Sequence, residues 1–575
     1  MESHLAPNPS VPGHDRLIEV VRRADDLSAL SEELARSIDD AESELALSRQ
    51  RHCLLRPLRF RPGDRVLEIG GGYGVLARYL GEVGAEVQSI DDDRVSAEVA
   101  RIRCRDLENV EIVAADPLTT PHHGDCDWIV LANDVPLPRR GPRTIEDLRR
   151  QLATAHRALA TTGSLVLAAE NRLGLKYLLG ARPIGSADPF EALNAARPSD
   201  TGTVDLAGMV SEVEAAGFSE VEILLPFPDH LFPKAIVRAS AAEPGGISLP
   251  NALWGIHGRD RRGEWHAFVD EQRLWGLLQR NGIARSMAPS MLIVASKGSP
   301  ARSPVEDADA WRFTVGDRYS RFAKSITISR PDGEGRRDVR ASRLVPSQQP
   351  PPIDLASGYS GRQIVVGGAF HPGTAEAVRI AERFGGPESD VVEAYARWAV
   401  FVLQNARCVD QGDPSLIRSW RLAGDRVELI PQNMIWPESS GGPFVFDNEP
   451  QLDHEVPLVW VLYRGVIQCM RYHDPVRVLH GIARHLGLTV LDEDVELARR
   501  LEEEMVAAFE FPSPWALPSP IDFPMIRIRI ADLERELSAA NARNAAVLSR
   551  RTVRVALGLA RLAKRPLRWW RSMTR

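Results

Sequence analysis

The sequence predicts an α/β protein: a doubly wound, mostly parallel seven-stranded sheet, then an α+β region and a helical tail. Three observations carry that expectation. Short apolar runs alternate with helical stretches from residue 65 onward, as in strands covered on both faces by helices. A glycine-rich turn, Gly70-Gly-Gly-Tyr-Gly74, stands where the first strand gives way to a helix, and an acid, Asp91, ends the second strand. Beyond residue 305 strands come first and helices later, which marks α+β construction.

In chain order, residues 1–14 are polar and proline-containing and are expected to be disordered. A helical cap over 15–58 follows, with Leu17, Val20, Val21, Leu27, Leu30 and Leu34 at helical spacing. Strands then read 66–69, 87–90, 110–114, 128–132 and 164–168, with helices at 75–83, 96–107 and 144–159 between them. A helix at 204–217 leads to a sixth strand at 221–225. Two segments compete for the seventh, 235–239 and 291–295. The second is preferred because a helix at 271–280, stopped by Asn281-Gly282, precedes it. Residues 226–288 then form an insertion in a domain spanning 59–298.

Gly298-Ser-Pro-Ala-Arg-Ser-Pro304 reads as a linker. A domain at 305–510 opens with strands at 311–315, 325–329, 339–345 and 364–366. It continues with helices at 375–384 and 391–408, a strand pair at 427–430 and 444–446, and helices at 456–472, 475–486 and 495–509. Residues 525–575 differ in character. Ile530, Leu533, Leu537, Ala540, Asn544 and Val547 alternate steps of three and four, so 526–548 is a short coiled-coil seam and a candidate oligomer contact. From Arg550 to Arg575 nine basic residues and no acid are interleaved with valines, leucines and Trp569-Trp570. That suits peripheral contact with an anionic membrane surface, the inner face of the plasma membrane.

A chain of 575 residues is expected to hold two or more domains. Its 44% hydrophobic and 26% charged content is ordinary for a globular protein. A formal net charge of -7 gives no support to general nucleic-acid binding. Cys53, Cys104, Cys126, Cys408 and Cys469 form no Cys-x-x-Cys pair, which predicts reduced thiols in a cytoplasmic protein and argues against a zinc ribbon. No signal peptide is expected, and no apolar run reaches the roughly 18 residues that span a bilayer.

The glycine turn alone does not choose a ligand, since Gly72-x-Gly74-x-x-Ala77 would also pass for a dinucleotide fingerprint. Glu68, two residues before the first glycine, decides against it: a carboxylate there opposes a pyrophosphate and suits a cation. Asp91 is placed to accept from two ribose hydroxyls, and Asp116, ending the third strand, from an adenine amino group. The fourth and fifth strands end in Ala132-Asn133-Asp134 and Ala169-Glu170-Asn171, and such sheets bind ligands beyond the carboxyl ends of their strands.

Together these residues resemble a class I S-adenosylmethionine-dependent methyltransferase. The resemblance implies S-adenosyl-L-methionine as cofactor. Glu68, Gly70, Gly72 and Gly74 would face its amino-acid part, Asp91 its ribose and Asp116 its adenine, with Asn133 at the pocket lip. A narrower resemblance rests on Ser48-x-x-Arg51-x-x-Leu54-Leu-Arg-Pro-Leu58, Tyr79-Leu-Gly-Glu82, Arg103-Cys-Arg-Asp-Leu107, Glu170-Asn-Arg-Leu-Gly-Leu-Lys-Tyr177 and Pro226-Phe-Pro-Asp-His230. It is to bacterial methyltransferases of surface-polysaccharide gene clusters, and it implies a sugar or glycan acceptor; Gly71 departs from their usual loop. Methyl transfer aligns acceptor, methyl and sulfur and removes a proton. Asp134, Glu170 and His230 are the candidate bases, with His122 and His123 beside them; Asn133 and Asn171 would orient the acceptor, and Lys176 and Tyr177 would form a lid.

In the second region, Glu428-Leu-Ile-Pro-Gln-Asn433 followed by Phe444-Val-Phe-Asp-Asn-Glu449 resembles the catalytic and metal loops of kinase-like phosphotransferases. The resemblance implies that Asn433 and Asp447 ligate Mg²⁺ and position a phosphoryl group. Glu428 stands where Asp is usual, and the early strands offer Lys324, Arg340 and Arg343 as cations. Three function classes follow: a methyltransferase with an accessory domain, a bifunctional methyltransferase–phosphotransferase, and a non-catalytic scaffold.

Overall fold

The structure is a computed structural model. It describes residues 12–549 apart from 118–119, 121–123, 133–143, 184–187, 195–203, 262, 264, 301, 347–348, 438–441, 471–472 and 516–520, together with residue 555. Its centre is a sheet whose strands β1 (Arg65–Ile69), β2 (Glu86–Asp91), β3 (Val110–Ala114), β4 (Cys126–Leu131) and β5 (Leu159–Glu170) run parallel in the order β3-β2-β1-β4-β5. Side chains alternate across it. One face packs Leu67, Ile69, Ile129 and Leu165 against Leu152 and Ala155 of helix Ile145–Ala158. The other packs Val66, Val87, Val130 and Val166 against Leu76, Ala77 and Leu80 of helix Val75–Val83.

Three more strands follow: β6 (Ser219–Phe227), β7 (Ala235–Arg238) and β8 (Ser290–Ser296). β8 lies antiparallel between β5 and β6, so 290–296 is the seventh strand, inserted beside the fifth. The competing segment, 235–239, is also a strand: β7 pairs with the far edge of β6. An edge left open there would be a template for unwanted pairing. The chain covers it with β9 (Ala308–Phe313), whose Ala310, Trp311 and Arg312 pair with Val237, Ile236 and Ala235.

β10 (Lys324–Ser329), β11 (Asp338–Arg343) and β12 (Gly368–Ala369) continue antiparallel from β9. Among the described residues the sheet therefore holds 12 strands where the sequence predicts seven. The stretch 298–304, expected to be a linker, connects β8 to β9 within that sheet; its end is held where Arg59 N–H donates to the Pro304 carbonyl at 2.9 Å. Met1–Ile521 forms one compact unit and Asp522–Arg575 another.

The N-terminal cap is three helices, Pro12–Arg23, Glu32–Ala35 and Ala41–Leu47. Ser31 and Asp40 cap the second and third through their side chains, which breaks the single run that apolar spacing suggests. The first begins at Pro12, inside the stretch expected to be disordered. Arg105 fastens it by donating to the carbonyls of Val21, Arg22 and Ala24, and Arg103 donates to the Ala46 carbonyl. Leu17, Val21, Leu34 and Leu45 of the cap share one core with Tyr73, Val75 and Val99, beside the glycine loop.

Residues 322–509 gather around a core of their own, with Trp398 and Tyr395 from helix Glu388–Gln404 against helices Leu458–Ile467, Pro475–His485 and Asp492–Phe509. The segment 427–430 is a turn rather than a strand. Val427, Leu429 and Ile430 are fully buried, and an apolar run filling a core from a turn looks like a strand in sequence. The hairpin is instead Met434–Ile435 with Phe444–Val445. Likewise 364–366 is not a strand; the neighbouring Ser360–Gln363 is.

In the second unit, Phe523–Ser549 is one helix with Ile530, Leu533, Leu537 and Val547 exposed. Residues 550–575 lie outside the described residues, apart from Val555. No helix among the described residues is long and apolar enough to cross a membrane.

Gly74 has φ +73 and caps helix Val75–Val83; a Cβ there would lie 2.7 Å from that of Ala100. Gly74→Ala is expected to cost about 2–4 kcal/mol, from left-handed strain plus overpacking. It should lower the urea midpoint without changing the slope, and an unmoved midpoint would mean that the backbone relaxes freely.

Candidate active site

The loop after β1 is shaped by backbone geometry. Gly70, Gly72 and Gly74 have φ of 73°, 58° and 73°, a region L side chains avoid. Gly70 N–H donates to the Ile90 carbonyl at 2.8 Å, and Gly72 N–H donates to Asp91 Oδ2 at 2.7 Å. Asp91 Oδ1 accepts from Asp93 N–H at 2.8 Å. Beneath the loop Glu68 is fully buried and accepts from Ser89 Oγ at 2.7 Å. Gly71 is needed for that approach, because a Cβ on it would sit 1.9 Å from Ser89 Oγ and 2.8 Å from Glu68 Oε2. A closed carboxylate under a cradle of bare backbone suits a cationic ligand.

Ala115 N–H donates to the Asp91 carbonyl at 2.9 Å, so the end of β3 lies beside Asp91. Asp116 follows it with its side chain exposed, while its carbonyl accepts from Thr120 N–H at 3.0 Å. Glu68, Gly70, Gly72, Gly74, Asp91 and Asp116 therefore share one edge of the sheet. Asn133 and Asp134, expected at the end of β4, lie outside the described residues, as do His122 and His123.

Further along the same edge a buried polar network appears. Glu170 ends β5 and stands opposite Ser290 in the β5–β8 register. His230 Nδ1 lies 3.2 Å from Ser290 Oγ, which brings together two candidates 60 residues apart. Lys176 Nζ is 2.8 Å from Glu170 Oε1, and both side chains are buried. Burial pushes the Glu170 carboxyl up, but the Lys176 ammonium, with His230 beyond it, more than offsets this and holds the group below its ordinary range. Asp229 behaves the same way: burial raises it, and Arg259, Lys176 and His230 bring it down.

Lys176 and Tyr177, expected as a lid, are 3% and 1% exposed and belong to this network. Burial and the Glu170 carboxylate push the Tyr177 hydroxyl well above its ordinary value. Asn171 donates to the carbonyls of Ser286 and Ala288 at 2.9 and 2.8 Å, so it braces the backbone before β8 instead of facing an acceptor. Sequence reasoning passed over Arg51, Asp229 and Arg259 as site residues. Burial drops Arg51 to about 10, with Glu68 and Asp229 pulling the other way. Asp229 is a charge set among apolar residues, Pro226-Phe-Pro and Leu231-Phe232, which is a readable signal; Arg51 and Arg259 lie in polar stretches that give none.

A family model described as Methyltransferase small domain matches residues 46–184. The chain is 26% identical over 181 residues to the ubiquinone biosynthesis O-methyltransferase of Thiobacillus denitrificans, a span of 27% of this chain and 75% of that protein. It is 32% identical over 113 residues to the protein-L-isoaspartate O-methyltransferase of Methylorubrum populi, covering 19% of this chain and 50% of that protein. Among solved structures, a TehB-like S-adenosylmethionine-dependent methyltransferase from Corynebacterium glutamicum aligns at 18% identity with a TM-score of 0.24, over 43% of this chain and 87% of that one.

The chain carries an S-adenosylmethionine-dependent methyltransferase domain. The donor set at the glycine loop, a closed carboxylate and a strand-end aspartate, fits that cofactor.

Beyond the methyltransferase domain a second buried cluster forms. Lys324 Nζ on β10 is 3.0 Å from Asp447 Oδ2 and 2.7 Å from Glu449 Oε2, and Arg318 and Gln363 also bond Glu449. Asn433 Nδ2 donates to Glu428 Oε2 at 2.9 Å, and Arg464 joins Glu428 to Glu502. Burial raises Asp447, with Lys324 opposing and Glu449 adding to the rise. Burial also acts on Glu449, but Arg318 and Lys324 outweigh it and bring the group down. Asn433 and Asp447 thus face protein partners, and among the described residues no group of three or more His, Cys, Asp or Glu is set to hold a metal.

The depressed Glu170 value contributes stability above the unfolded carboxyl value of about 4.3, and that contribution is lost as pH falls through the folded value. Lys176→Met leaves a buried charge unpaired and is expected to cost about 3–5 kcal/mol near neutral pH. The cost should shrink below about pH 4, because Glu170 in the variant, with no ammonium beside it, takes up a proton there, and it should vanish only below the depressed folded value of the native chain. Urea unfolding at the two pH values checks this, and an equal loss at both would remove the ion pair from the account.

Proposed function

We propose that the protein moves the methyl group of S-adenosylmethionine to a hydroxyl of a sugar or glycan acceptor belonging to cell-surface polysaccharide. The observation that carries the donor side is the glycine loop bound to Asp91 and seated on buried Glu68. Bound S-adenosylmethionine supplies a methyl group on a cationic sulfur. In this reading Glu68 offsets the cofactor's positive charge, Asp91 accepts from its ribose, Asp116 accepts from its adenine, and Asn133 closes the lip. Gly70, Gly72 and Gly74 let backbone approach the ligand.

On the acceptor side, the segments that carry the resemblance to surface-polysaccharide methyltransferases, 170–177 and 226–230, meet at one place. Glu170, Lys176, Tyr177, Asp229 and His230 lie together there. His230 is the better base of the pair: a carboxylate held down by an ammonium is a weak proton acceptor at neutral pH. Asp134 remains a candidate at the end of β4.

A second reading, a bifunctional methyltransferase–phosphotransferase, is favoured by the cluster of Lys324, Asp447 and Glu449. Lys324, rather than Arg340 or Arg343, would meet a phosphate there. Asp447, whose charged form is disfavoured by burial and then by Glu449 and Glu428, would take Mg²⁺ with Asn433. In the second unit, the exposed seam of helix Phe523–Ser549 supports an oligomer through 526–548, and residues 550–575 would touch an anionic membrane surface.

Calorimetry with S-adenosylmethionine should give binding to the native chain and at least about a tenfold loss in Asp91→Ala, since a charged hydrogen-bond partner is worth roughly 1.5–3 kcal/mol. No heat in the native chain would leave a scaffold that has lost its cofactor. Labelled methyl should then reach one of a panel of sugars and lipid-linked glycans. For the second reading, ATP with Mg²⁺ should bind the native chain and not Asp447→Ala; silence in both proteins would end it.

A further inference from the structure

A cavity of about 200 Å³ lies apart from the glycine loop, walled by the cap and by four segments distant in sequence. The cap supplies Glu44 and Arg49, the turn between β6 and β7 Lys234, and the loop at 255–259 Arg259. The turn between β9 and β10 supplies Asp317, and the segment after helix Asp492–Phe509 supplies Trp515. Pockets for drug-sized ligands run to about 300–1,000 Å³, so this one takes a smaller body, a single ring with its substituents.

Two of its three cations are already paired: Arg259 with Glu44, and Lys234 with Asp317 at 2.8 Å. Arg49 is not. Its guanidinium donates to Ser320 Oγ at 2.9 Å and to the Arg318 carbonyl at 3.0 Å, and no carboxylate among the described residues lies within ion-pair distance. It is 4% exposed, stacks 4.2 Å from the Phe511 ring centroid, and burial lowers its pKa. A guanidinium closed off in this way, with only neutral oxygens as partners, favours an added anion.

Two further atoms on the lining residues are incomplete. Glu44 Oε2, an acceptor, and Trp515 Nε1, a donor, are both shut off from solvent and have no hydrogen-bond partner. Buried polar atoms in that state call for a partner that the bare protein does not supply. A ligand that carries hydroxyls has what each atom lacks, because a hydroxyl both donates and accepts. The indole and phenyl rings of Trp515 and Phe511 give the ring of such a ligand an apolar wall.

We propose that this cavity binds a hydroxylated organic anion of single-ring size, a sugar phosphate or a sugar acid, with Arg49 as its charge partner and Trp515 Nε1 as a hydroxyl-reading donor. The site is separate from the methyl donor's, and the proposal does not rest on methyl transfer.

The test is calorimetry of the full-length chain with glucose 6-phosphate, glucuronate, glucose and inorganic phosphate in turn. At least one of the two sugar anions should bind, and glucose and phosphate alone should bind at least tenfold more weakly. Arg49 also holds Ser320 and the Arg318 backbone, so Trp515→Phe is the variant that keeps the packing. It should weaken the sugar anion by about threefold to tenfold, the worth of one neutral hydrogen bond, and leave S-adenosylmethionine binding unchanged. Silence with both sugar anions would overturn the proposal, leaving a cavity that holds water only. Inorganic phosphate binding as tightly as glucose 6-phosphate, or an unchanged affinity in Trp515→Phe, would overturn it as well.

Discussion

The bond from Gly72 N–H to Asp91 Oδ2, at 2.7 Å, fixes the geometry on which the donor site depends. It joins the loop after β1 to the end of β2, so two neighbouring parallel strands deliver their ends to one ligand. The loop can donate that bond only because three of its glycines adopt positive φ, and it can lie on Glu68 only because Gly71 has no side chain. Asp91 also holds Asp93 N–H, which starts helix Arg94–Arg103, and that helix carries Arg103 to the Ala46 carbonyl of the cap. One carboxylate therefore orders the loop, the helix behind it and, through that helix, the cover above.

The extended sheet has a consequence for the rest of the first unit. Because β9 pairs directly with β7, the strands beyond residue 305 are bonded to the methyltransferase sheet. The turn between β9 and β10 is tied to the cap, where Ser320 N–H donates to Glu32 Oε1 and Arg49 donates to the Arg318 carbonyl. The Arg318 side chain in turn pairs with Glu449, which pairs with Lys324. A continuous run of hydrogen bonds and ion pairs thus leads from the cap beside the glycine loop to the Lys324 cluster. The two clusters share one arrangement: a buried lysine faces carboxylates, Glu170 in one case and Asp447 with Glu449 in the other.

The parallel core was legible because its strands are short, apolar and separated by capped helices, and because glycine and acid positions have few physical explanations at strand ends. The seventh strand was legible for a subtler reason: helix Glu271–Arg280 precedes it. The extra strands were not, since β10 and β11 are half-exposed and read equally well as a small separate sheet; nothing local in Trp311 or Ile236 announces that they pair. Turn 427–430 misled because core-filling apolar residues look alike in turns and strands. At the site, single residues at strand ends were readable, whereas the Glu170–Lys176 and His230–Ser290 contacts depend on loops folding back, which spacing along the chain does not encode.

That difference bears on the chemistry. A carboxylate at a strand end, seen in sequence, stands equally for a base, a cofactor ligand or a structural anion. Packing separates these by the sign of the pKa shift. Desolvation alone would have raised Glu170 toward the range of a useful proton acceptor. The ammonium of Lys176 reverses the sign, so Glu170 stays ionised beside His230. In the reading proposed above the carboxylate is therefore a structural anion, and the proton goes to His230, whose Nδ1 lies 3.2 Å from Ser290 Oγ.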